Sequence, residues 1–264
     1  MNINYFRGKM LLYFSLFLIS GILSPSKSGR IIGGNDARPH AFPFIASLKD
    51  VRFANSHYCA GSVLNENYIL TTGNCCHKVD SHYIQIGVGE HHLYQTDHEQ
   101  FFKVKKMIVH ENYDKITLKN DICLLKADRN IKFNSYVSTT KLPNLGLAFE
   151  NETGIISGWG SLSLDLSPSN MLQFLTVEIM SNELCSELYM EYYDPKTMMC
   201  AASKENSGFC LGDSGGPLIC DDFYQCGMIS WNIKCGKNNY PGVFTRLGDY
   251  VNWIQDNMEK KGHI

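Results

Sequence analysis

The residues best suited to covalent chemistry lie in the segment Gly212-Asp213-Ser214-Gly215-Gly216-Pro217. Ser214 carries a hydroxyl that becomes a nucleophile when a neighbouring base takes its proton. Glycines flank this serine, and because they lack a Cβ they let backbone N–H groups approach a substrate carbonyl closely. The segment therefore predicts attack on a carbonyl at Ser214, next to backbone donors that form an oxyanion hole.

Other segments accompany this motif and agree with it. They are Arg30-Ile31-Ile32-Gly33-Gly34, Asn120-Asp121-Ile122, Ser157-Gly158-Trp159-Gly160, Ser230-Trp231, Pro241-Gly242-Val243-Phe244-Thr245-Arg246 and Tyr250-Val251-Asn252-Trp253-Ile254. With them, the chain resembles a trypsin-like (chymotrypsin-fold, S1-type) serine protease over essentially all of residues 31–264. The resemblance implies an all-β fold of two six-stranded antiparallel β-barrels with a C-terminal α-helix. It assigns Ser214 as nucleophile, Asp121 as the carboxylate that orients a histidine, and the N–H groups of Gly212 and Ser214 as the oxyanion hole.

The position of the triad base holds a residue that cannot act as a base. In the family, the histidine precedes a cysteine in a Leu-Thr-Ala-Ala-His-Cys type segment, and the matching stretch here is Leu70-Thr71-Thr72-Gly73-Asn74-Cys75. A carboxamide has no usable basicity near neutral pH, so Asn74 cannot activate the serine. Asn74 could donate its NH₂ group to Asp121 and act as a structural replacement for the histidine. His77 is interpreted as a surface histidine, because no shift of register brings it to the position of the base.

The residues that line the primary specificity pocket of the family also differ here. Gly208 stands where trypsins carry the aspartate that recognises Arg or Lys. Phe209 occupies a position usually held by a small residue, and its ring brings about 150–250 Å² of aromatic surface into the slot. Asn232 and Lys234 replace the two glycines of the family's Ser-Trp-Gly-x-Gly-Cys segment, whereas Gly242 remains. We therefore expect a filled pocket with an obstructed wall.

The features of zymogen activation are retained in the sequence. Arg30 and Ile31 resemble the activation site of the family, and Asp213 resembles its interior carboxylate. The resemblance implies that a cut after Arg30 frees the Ile31 amine to pair with Asp213. The alternative is that these residues serve folding alone.

The elements that hold these residues are short. After residue 30, alternating apolar runs such as Ile84 to Val88 are separated by Gly, Asn and Asp turns, which is typical of antiparallel β-structure. Apolar residues recur at helical spacing only in the C-terminal stretch from Tyr250 to Met258. No linker or repeat divides residues 31–264, which we assign to barrels of about 31–140 and 141–264.

The composition and the N-terminal segment predict a secreted globular protein. The chain has 264 residues, 44% hydrophobic and 19% charged, and its net charge of −2 argues against nucleic acid as a partner. Residues 1–28 have the basic start, apolar run and small-residue end of a signal peptide, although a cut nearer Ser20 or Ser24 is also open. The apolar run is shorter than the roughly 20 residues of a spanning helix, so we expect no membrane anchor. Without this peptide and the activation segment 29–30, the chain has 20 basic and 26 acidic residues, a net charge of −6.

The ten cysteines of an exported chain favour five disulfides. The resemblance implies the pairs Cys59–Cys75, Cys185–Cys200 and Cys210–Cys235. Cys220 and Cys226 flank a predicted hairpin and suggest a cross-strand bridge. The last pair is then Cys76–Cys123.

Two further motifs concern a metal ion and a glycan. Glu90 and Glu99 bracket a loop that resembles the calcium loop of trypsins, where oxygen ligands surround the cation. The loop is one residue shorter and contains three histidines, so an exposed polar loop without calcium is the alternative. We expect no other cofactor. The sequon Asn151-Glu152-Thr153 predicts a glycosylated surface loop.

Loss of the base, a filled pocket and an obstructed wall together favour inactivity over altered specificity. We therefore predict a secreted, monomeric pseudoprotease that binds an extracellular protein partner. Decoy, inhibitor and cofactor in a protease cascade are the roles considered. The alternatives are an active serine endopeptidase with an altered mechanism and specificity, and an adhesion role for which the sequence offers no dedicated patch.

Overall fold

The computed structural model of the protein describes residues 34–54, 56–95, 98–161, 168–203, 208–221, 223–233 and 240–259. The expected signal peptide, the activation residues Arg30 and Ile31, and the pocket and disulfide residues Lys234 and Cys235 lie outside these ranges. None of the helices within them is long and apolar enough to cross a membrane.

A closed barrel of six antiparallel strands forms the first half of the described chain. After the short strand β1 (Asn35–Asp36), its strands are β2 (Ile45–Asp50), β3 (His57–Val63), β4 (Tyr68–Thr71), β5 (Ile84–Val88), β6 (Gln100–Val109) and β7 (Cys123–Ala127). Their order around the barrel is β2-β3-β4-β7-β6-β5. Because side chains alternate along a strand, Leu48, Ile86 and Leu125 all point into one apolar core. Helix α1 (Gly73–Lys78) follows β4 and begins at the N-cap Thr72.

The second half forms another closed antiparallel barrel. Its strands are β8 (Thr153–Gly158), β9 (Gln173–Ile179), β10 (Met198–Ala202), β11 (Pro217–Cys220), β12 (Tyr224–Trp231) and β13 (Gly242–Arg246). Strand β9 pairs with both β8 and β10, which closes the sheet. Strand β1 adds to β9 from outside, with Asn35 opposite Phe174. Helix α2 (Asn182–Tyr189) lies between β9 and β10.

A third apolar cluster joins the two barrels to the C-terminal helix α3 (Val251–Glu259). Leu70 and Leu124 of the first barrel share this cluster with Met228 of the second. Ile254, on the buried face of α3, completes it. The expected all-β fold of two six-stranded barrels with a C-terminal helix is thus confirmed.

Disulfides fix the loops around the barrels. The four pairs among the described residues are Cys59–Cys75, Cys76–Cys123, Cys185–Cys200 and Cys220–Cys226. Each of these pairs was expected from the sequence. Cys210 is also disulfide-bonded, and its expected partner Cys235 lies outside the described residues.

Candidate active site

Ser214 lies in a tight turn before β11 that packs against the first barrel. Gly212 and Gly215 have φ angles of +97° and +83°, which favour glycine. A Cβ on Gly215 would overlap the Ala60 carbonyl oxygen, so only glycine fits there. The N–H of Ala60 donates to the Ser214 carbonyl oxygen at 2.8 Å, which ties the turn to β3. The turn therefore holds Ser214 at the junction of the barrels.

Asp121 is a buried carboxylate that receives hydrogen bonds from both barrels. Its Oδ1 accepts the backbone N–H of Asn74 at 2.7 Å, and its Oδ2 accepts the Ser230 hydroxyl at 2.5 Å. The Asp121 backbone carbonyl accepts the Thr245 hydroxyl at 2.7 Å. Burial raises the pKa of Asp121 to about 6, against the opposing effects of these donors and of Lys78.

Asn74 lies on α1 and reaches Asp121 through its backbone. The sequence suggested the side-chain amide as the donor, and this detail is corrected. The carboxylate already accepts the backbone N–H that begins α1 and the Ser230 hydroxyl, so it is satisfied without the amide. None of the described residues forms a hydrogen bond with the Ser214 hydroxyl. Among the described residues, the structure thus shows no base hydrogen-bonded between Ser214 and the Asp121 carboxylate.

His77 does not supply the missing base. It is exposed on α1, and its ring lies near Tyr113, with 6.5 Å between centroids. An exposed histidine packed on this side of the helix makes no contact with the serine turn. The interpretation of His77 as a surface residue agrees with this position.

The turn that carries Gly212 and Ser214 is held by a histidine that was not anticipated from the sequence. His57 on β3 donates from Nε2 to the Gly212 carbonyl oxygen at 3.0 Å. Because a carbonyl only accepts, Nε2 carries the ring proton, and the buried Nδ1 has no partner among the described residues. Burial lowers the pKa of His57 to about 4, so the ring is neutral at pH 7. A histidine two residues before Cys59 is the only sequence signal for this contact.

The primary pocket is filled from within by Phe209. Its ring is 4% exposed and packs edge-on against Phe244, with 5.2 Å between centroids. It takes the space that the missing side chain of Gly242 leaves. Asn232 closes the wall by donating its Nδ2 to the Phe209 carbonyl oxygen at 2.7 Å. The cavity that remains beside Gly208 offers about 10 Å³ to the centre of a water-sized sphere, which is about the space of one water molecule.

Comparisons with known proteins place this arrangement in a family. The family model for trypsin matches residues 31–254. Trypsin V-B of Rattus norvegicus is 33% identical over 253 residues, which cover 95% of this chain and 98% of the relative. The chain belongs to the trypsin family. Trypsin-1 of Astacus astacus is 37% identical over 240 residues, or 86% of this chain and 99% of the relative. Among solved structures, human heparin binding protein superposes with a TM-score of 0.78 at 26% identity, covering 88% of this chain and 98% of the other.

The carboxylate that receives the new N-terminus in the trypsin family is buried here. Asp213 Oδ1 accepts the N–H of Gly160 at 2.8 Å, and Oδ2 accepts the N–H of Cys210 at 3.0 Å. A Cβ on Gly158 or Gly160 would overlap this carboxylate, so both glycines make room for it. Within the described ranges no cation pairs with Asp213, and burial raises its pKa to about 6.

The loop that resembles the calcium loop of the trypsin family is organised around an internal cation. Glu90 is buried, and its carboxylate is held by the ammonium of Lys49 and the hydroxyl of Ser47. Glu99 lies close enough to raise the pKa of Glu90, which is raised mainly by burial. The described residues contain no group of three or more metal-ligating side chains. A carboxylate already paired with an ammonium does not fit the role of a calcium ligand.

An open apolar groove lies beside the filled pocket. It has a volume of about 330 Å³. The residues that line it are Ile116, Thr117, Leu118, Tyr189, Tyr192, Trp231 and Ile233. The indole Nε1 of Trp231 is buried and has no hydrogen-bond partner among the described residues. This groove is lined mostly by apolar side chains and is far larger than the cavity beside Gly208.

Asn151 of the sequon lies in an exposed turn before β8, with a φ angle of +63°. Such a turn leaves room for a glycan, and glycosylation at Asn151 stays a prediction.

Proposed function

We propose that this member of the trypsin family is a secreted homologue without peptidase activity, which acts by binding an extracellular protein. A decoy, an inhibitor and a cofactor of a protease cascade all fit this proposal. The protein acts as a monomer, and it retains the zymogen residues Arg30, Ile31 and Asp213.

The absence of a base at position 74 carries the proposal. A serine hydroxyl is a poor nucleophile until a neighbouring group accepts its proton. Asn74 has no such group, and Asp121 faces the backbone N–H of Asn74 and the Ser230 hydroxyl. Removal of one triad member from an active serine protease costs about 10⁴ to 10⁶ in turnover.

The filled pocket supports the proposal independently. A substrate side chain that cannot enter the pocket cannot fix its scissile bond beside the serine. Phe209 leaves about 10 Å³ there, whereas the neighbouring apolar groove keeps about 330 Å³. A peptide segment can therefore lie in the groove without being placed for cleavage.

Secretion is supported by the signal-like segment at residues 1–28 and by the disulfides. The described chain contains four disulfides, which form and persist in oxidising compartments. Glycosylation at Asn151 would follow from the same route.

The test separates activation of the serine from access to the pocket. The natural protein, cut after Arg30, is compared with Ser214→Ala, Asn74→His and Asn74→His/Phe209→Ser. A fluorophosphonate reports the reactivity of Ser214, and a broad peptide library reports cleavage. We expect the natural protein to match Ser214→Ala in both assays.

Restoring the histidine should increase fluorophosphonate labelling by about 100-fold or more, which is the usual contribution of a general base. Peptide cleavage should require the second change, because Phe209 still fills the pocket of Asn74→His. If the natural protein cleaves peptides and Ser214→Ala does not, the proposal fails and the active endopeptidase is the correct alternative.

A further inference from the structure

Helix α2 exposes apolar side chains to the solvent. Its inner face buries Cys185 and Tyr189, whereas Leu184 and Leu188 are 44% and 40% exposed. We define the outer α2 surface as the exposed residues Glu183, Leu184, Glu187, Leu188, Met190, Glu191 and Tyr192. Met190 and Tyr192 are 70% and 65% exposed. Exposed apolar side chains that lie together, rather than singly, mark interaction surfaces on soluble proteins.

This surface is held rigidly from behind. The Ser181 side chain caps the helix by accepting the N–H of Leu184 at 3.3 Å, and Cys185 is bonded to Cys200 on β10. The hydroxyl of Tyr189 donates to the Pro241 carbonyl oxygen. A rigid surface loses little conformational freedom on binding, which favours its use as a docking site.

Two of the three carboxylates of the outer α2 surface, Glu187 and Glu191, do not serve the stability of the helix, whereas Glu183 lies in the first turn, where the helix dipole favours a negative charge. Carboxylates are unfavourable near a helix C-terminus, yet Glu187 lies in the last turn, where α2 has no basic residue. Glu191 follows Met190, the residue that caps the end of the helix, so carboxylates lie on either side of Leu188 and Met190 in the chain. Within the part of the chain that the structure describes, Glu183, Glu187 and Glu191 form no ion pair.

The backbone at the end of α2 is also strained. Met190 has a φ angle of +48°, in the left-handed region that disfavours residues with a Cβ. Its side chain nevertheless gains little burial, since it is 70% exposed.

We propose that the outer α2 surface binds a basic amphipathic helix of an extracellular protein partner. Glu183 and Glu187 are one turn apart, about 6 Å along the axis, and Leu184 and Leu188 form a parallel row. A partner helix with Lys or Arg beside apolar residues at the same spacing would match both rows. This inference rests on the proposed binding function, but it does not depend on the chemistry at Ser214.

The probe is a labelled synthetic amphipathic helix with Lys on one face and Leu on the other, called the Lys/Leu helix. Its comparator, the Glu/Leu helix, carries Glu in place of Lys. Binding is measured by fluorescence anisotropy at low and physiological salt, in the Ser214→Ala background, so that cleavage cannot affect the result. We expect the Lys/Leu helix to bind, and the Glu/Leu helix to bind at least about 10-fold more weakly, as charge complementarity requires. The variant Glu187→Lys/Glu191→Lys should bind the Lys/Leu helix about 10-fold or more less tightly. The variant Leu188→Ser/Met190→Ser should show a comparable loss of affinity.

The charge-matched control is Glu66→Lys/Asp256→Lys, which changes two exposed carboxylates elsewhere. It should bind within about twofold of the parent protein at physiological salt. Equal losses in the control and in the α2 variant would overturn the proposal, because net charge alone would then explain binding. Equal binding of the Glu/Leu helix would overturn it as well. A dimer in sedimentation analysis that Leu188→Ser/Met190→Ser dissociates would overturn it in favour of a second copy of this chain.

Discussion

At Gly242, the absence of one methyl group leaves room for the ring of Phe209. A Cβ at this position would overlap the Cε1 and Cζ atoms of the ring. The ring is buried to 4% exposure and contacts Phe244, so it behaves as a core residue of the second barrel. Closure of the pocket is therefore a packing property, and stability measurements can test it without a substrate.

Gly242→Ala should destabilise the protein by about 1–3 kcal/mol, because the core must shift around the added methyl group. Phe209→Leu should remove the overlap, so the double variant should be more stable than the sum of the single changes predicts. Urea unfolding of the natural protein, both single variants and the double variant measures this coupling, for which we expect about 1 kcal/mol or more. Additive free energies of unfolding would show that the ring and Gly242 do not share the pocket.

At the level of single residues, the main features of the candidate site were predictable from the sequence. The loss of the base and the aromatic residue in the pocket follow from residue types at Asn74 and Phe209. The donor to Asp121 was predicted wrongly, because the choice between an amide side chain and a backbone N–H depends on the position of α1 relative to the carboxylate. His57 was missed, because its contact with Gly212 joins residues 155 positions apart.

Among the elements, α1 is the one that most affects the site, since it presents Asn74 to Asp121. Two disulfides hold this short helix: Cys75 is bonded to Cys59 on β3, and Cys76 to Cys123 on β7. The strands themselves follow from alternating apolar residues. The Lys49–Glu90 pair could not be predicted in this way, because these residues meet only when β2 and the loop after β5 are placed side by side. From the sequence, a calcium loop and an exposed polar loop were both open here, and neither anticipates the buried Lys49–Glu90 pair.

The two disulfides that the resemblance did not supply should differ in their effect on stability. Cys76 and Cys123 are 47 residues apart, whereas Cys220 and Cys226 are 6 apart. In the chain-entropy description, replacing the first pair by alanine costs about 4 kcal/mol and replacing the second about 2 kcal/mol. Urea unfolding of Cys76→Ala/Cys123→Ala and of Cys220→Ala/Cys226→Ala gives both values. The reverse order would mean that the loop around α1 retains structure when the protein is unfolded.

For the whole molecule, a cut after Arg30 would couple a new N-terminus to Asp213 in the interior of the second barrel. In the chain before it is cut, the pKa of Asp213 is raised from an ordinary value near 3.8 to about 6 by burial. The stability that the protonated group contributes is complete below about pH 4 and is lost as the pH rises through 6. An amine at Ile31, which lies outside the described residues, would remove this loss by pairing with the carboxylate.

The uncut and cut forms should therefore have similar melting temperatures near pH 4 and diverge by pH 7. The rise of the Asp213 pKa from 3.8 to about 6 corresponds to about 3 kcal/mol in the free energy of unfolding, or about 6–12 °C in the melting temperature of a chain of this size. Differential scanning calorimetry between pH 4 and 7 measures the divergence. Asp121 and His57 titrate in the same range, but they are present in both forms and cancel from the comparison.

Asp213→Asn is the control for this prediction, because it removes the titrating group and keeps the fold around it. Its two forms should melt together at every pH. A divergence of the same size in Asp213→Asn would assign the effect of cutting to some other contact of the new N-terminus.

Asp121 is held by groups from both halves of the molecule: a backbone N–H of α1, a hydroxyl of β12 and, through its own carbonyl, a hydroxyl of β13. These bonds make it a joint between the barrels, and the joint is needed whether or not a histidine stands beside it. We therefore expect substitutions of Asp121 to disturb the contact between the barrels even though position 74 holds no base. Under the proposed function, Asp121 is kept for this joint, and its presence in the same chain as Ser214 is not by itself a sign of catalysis.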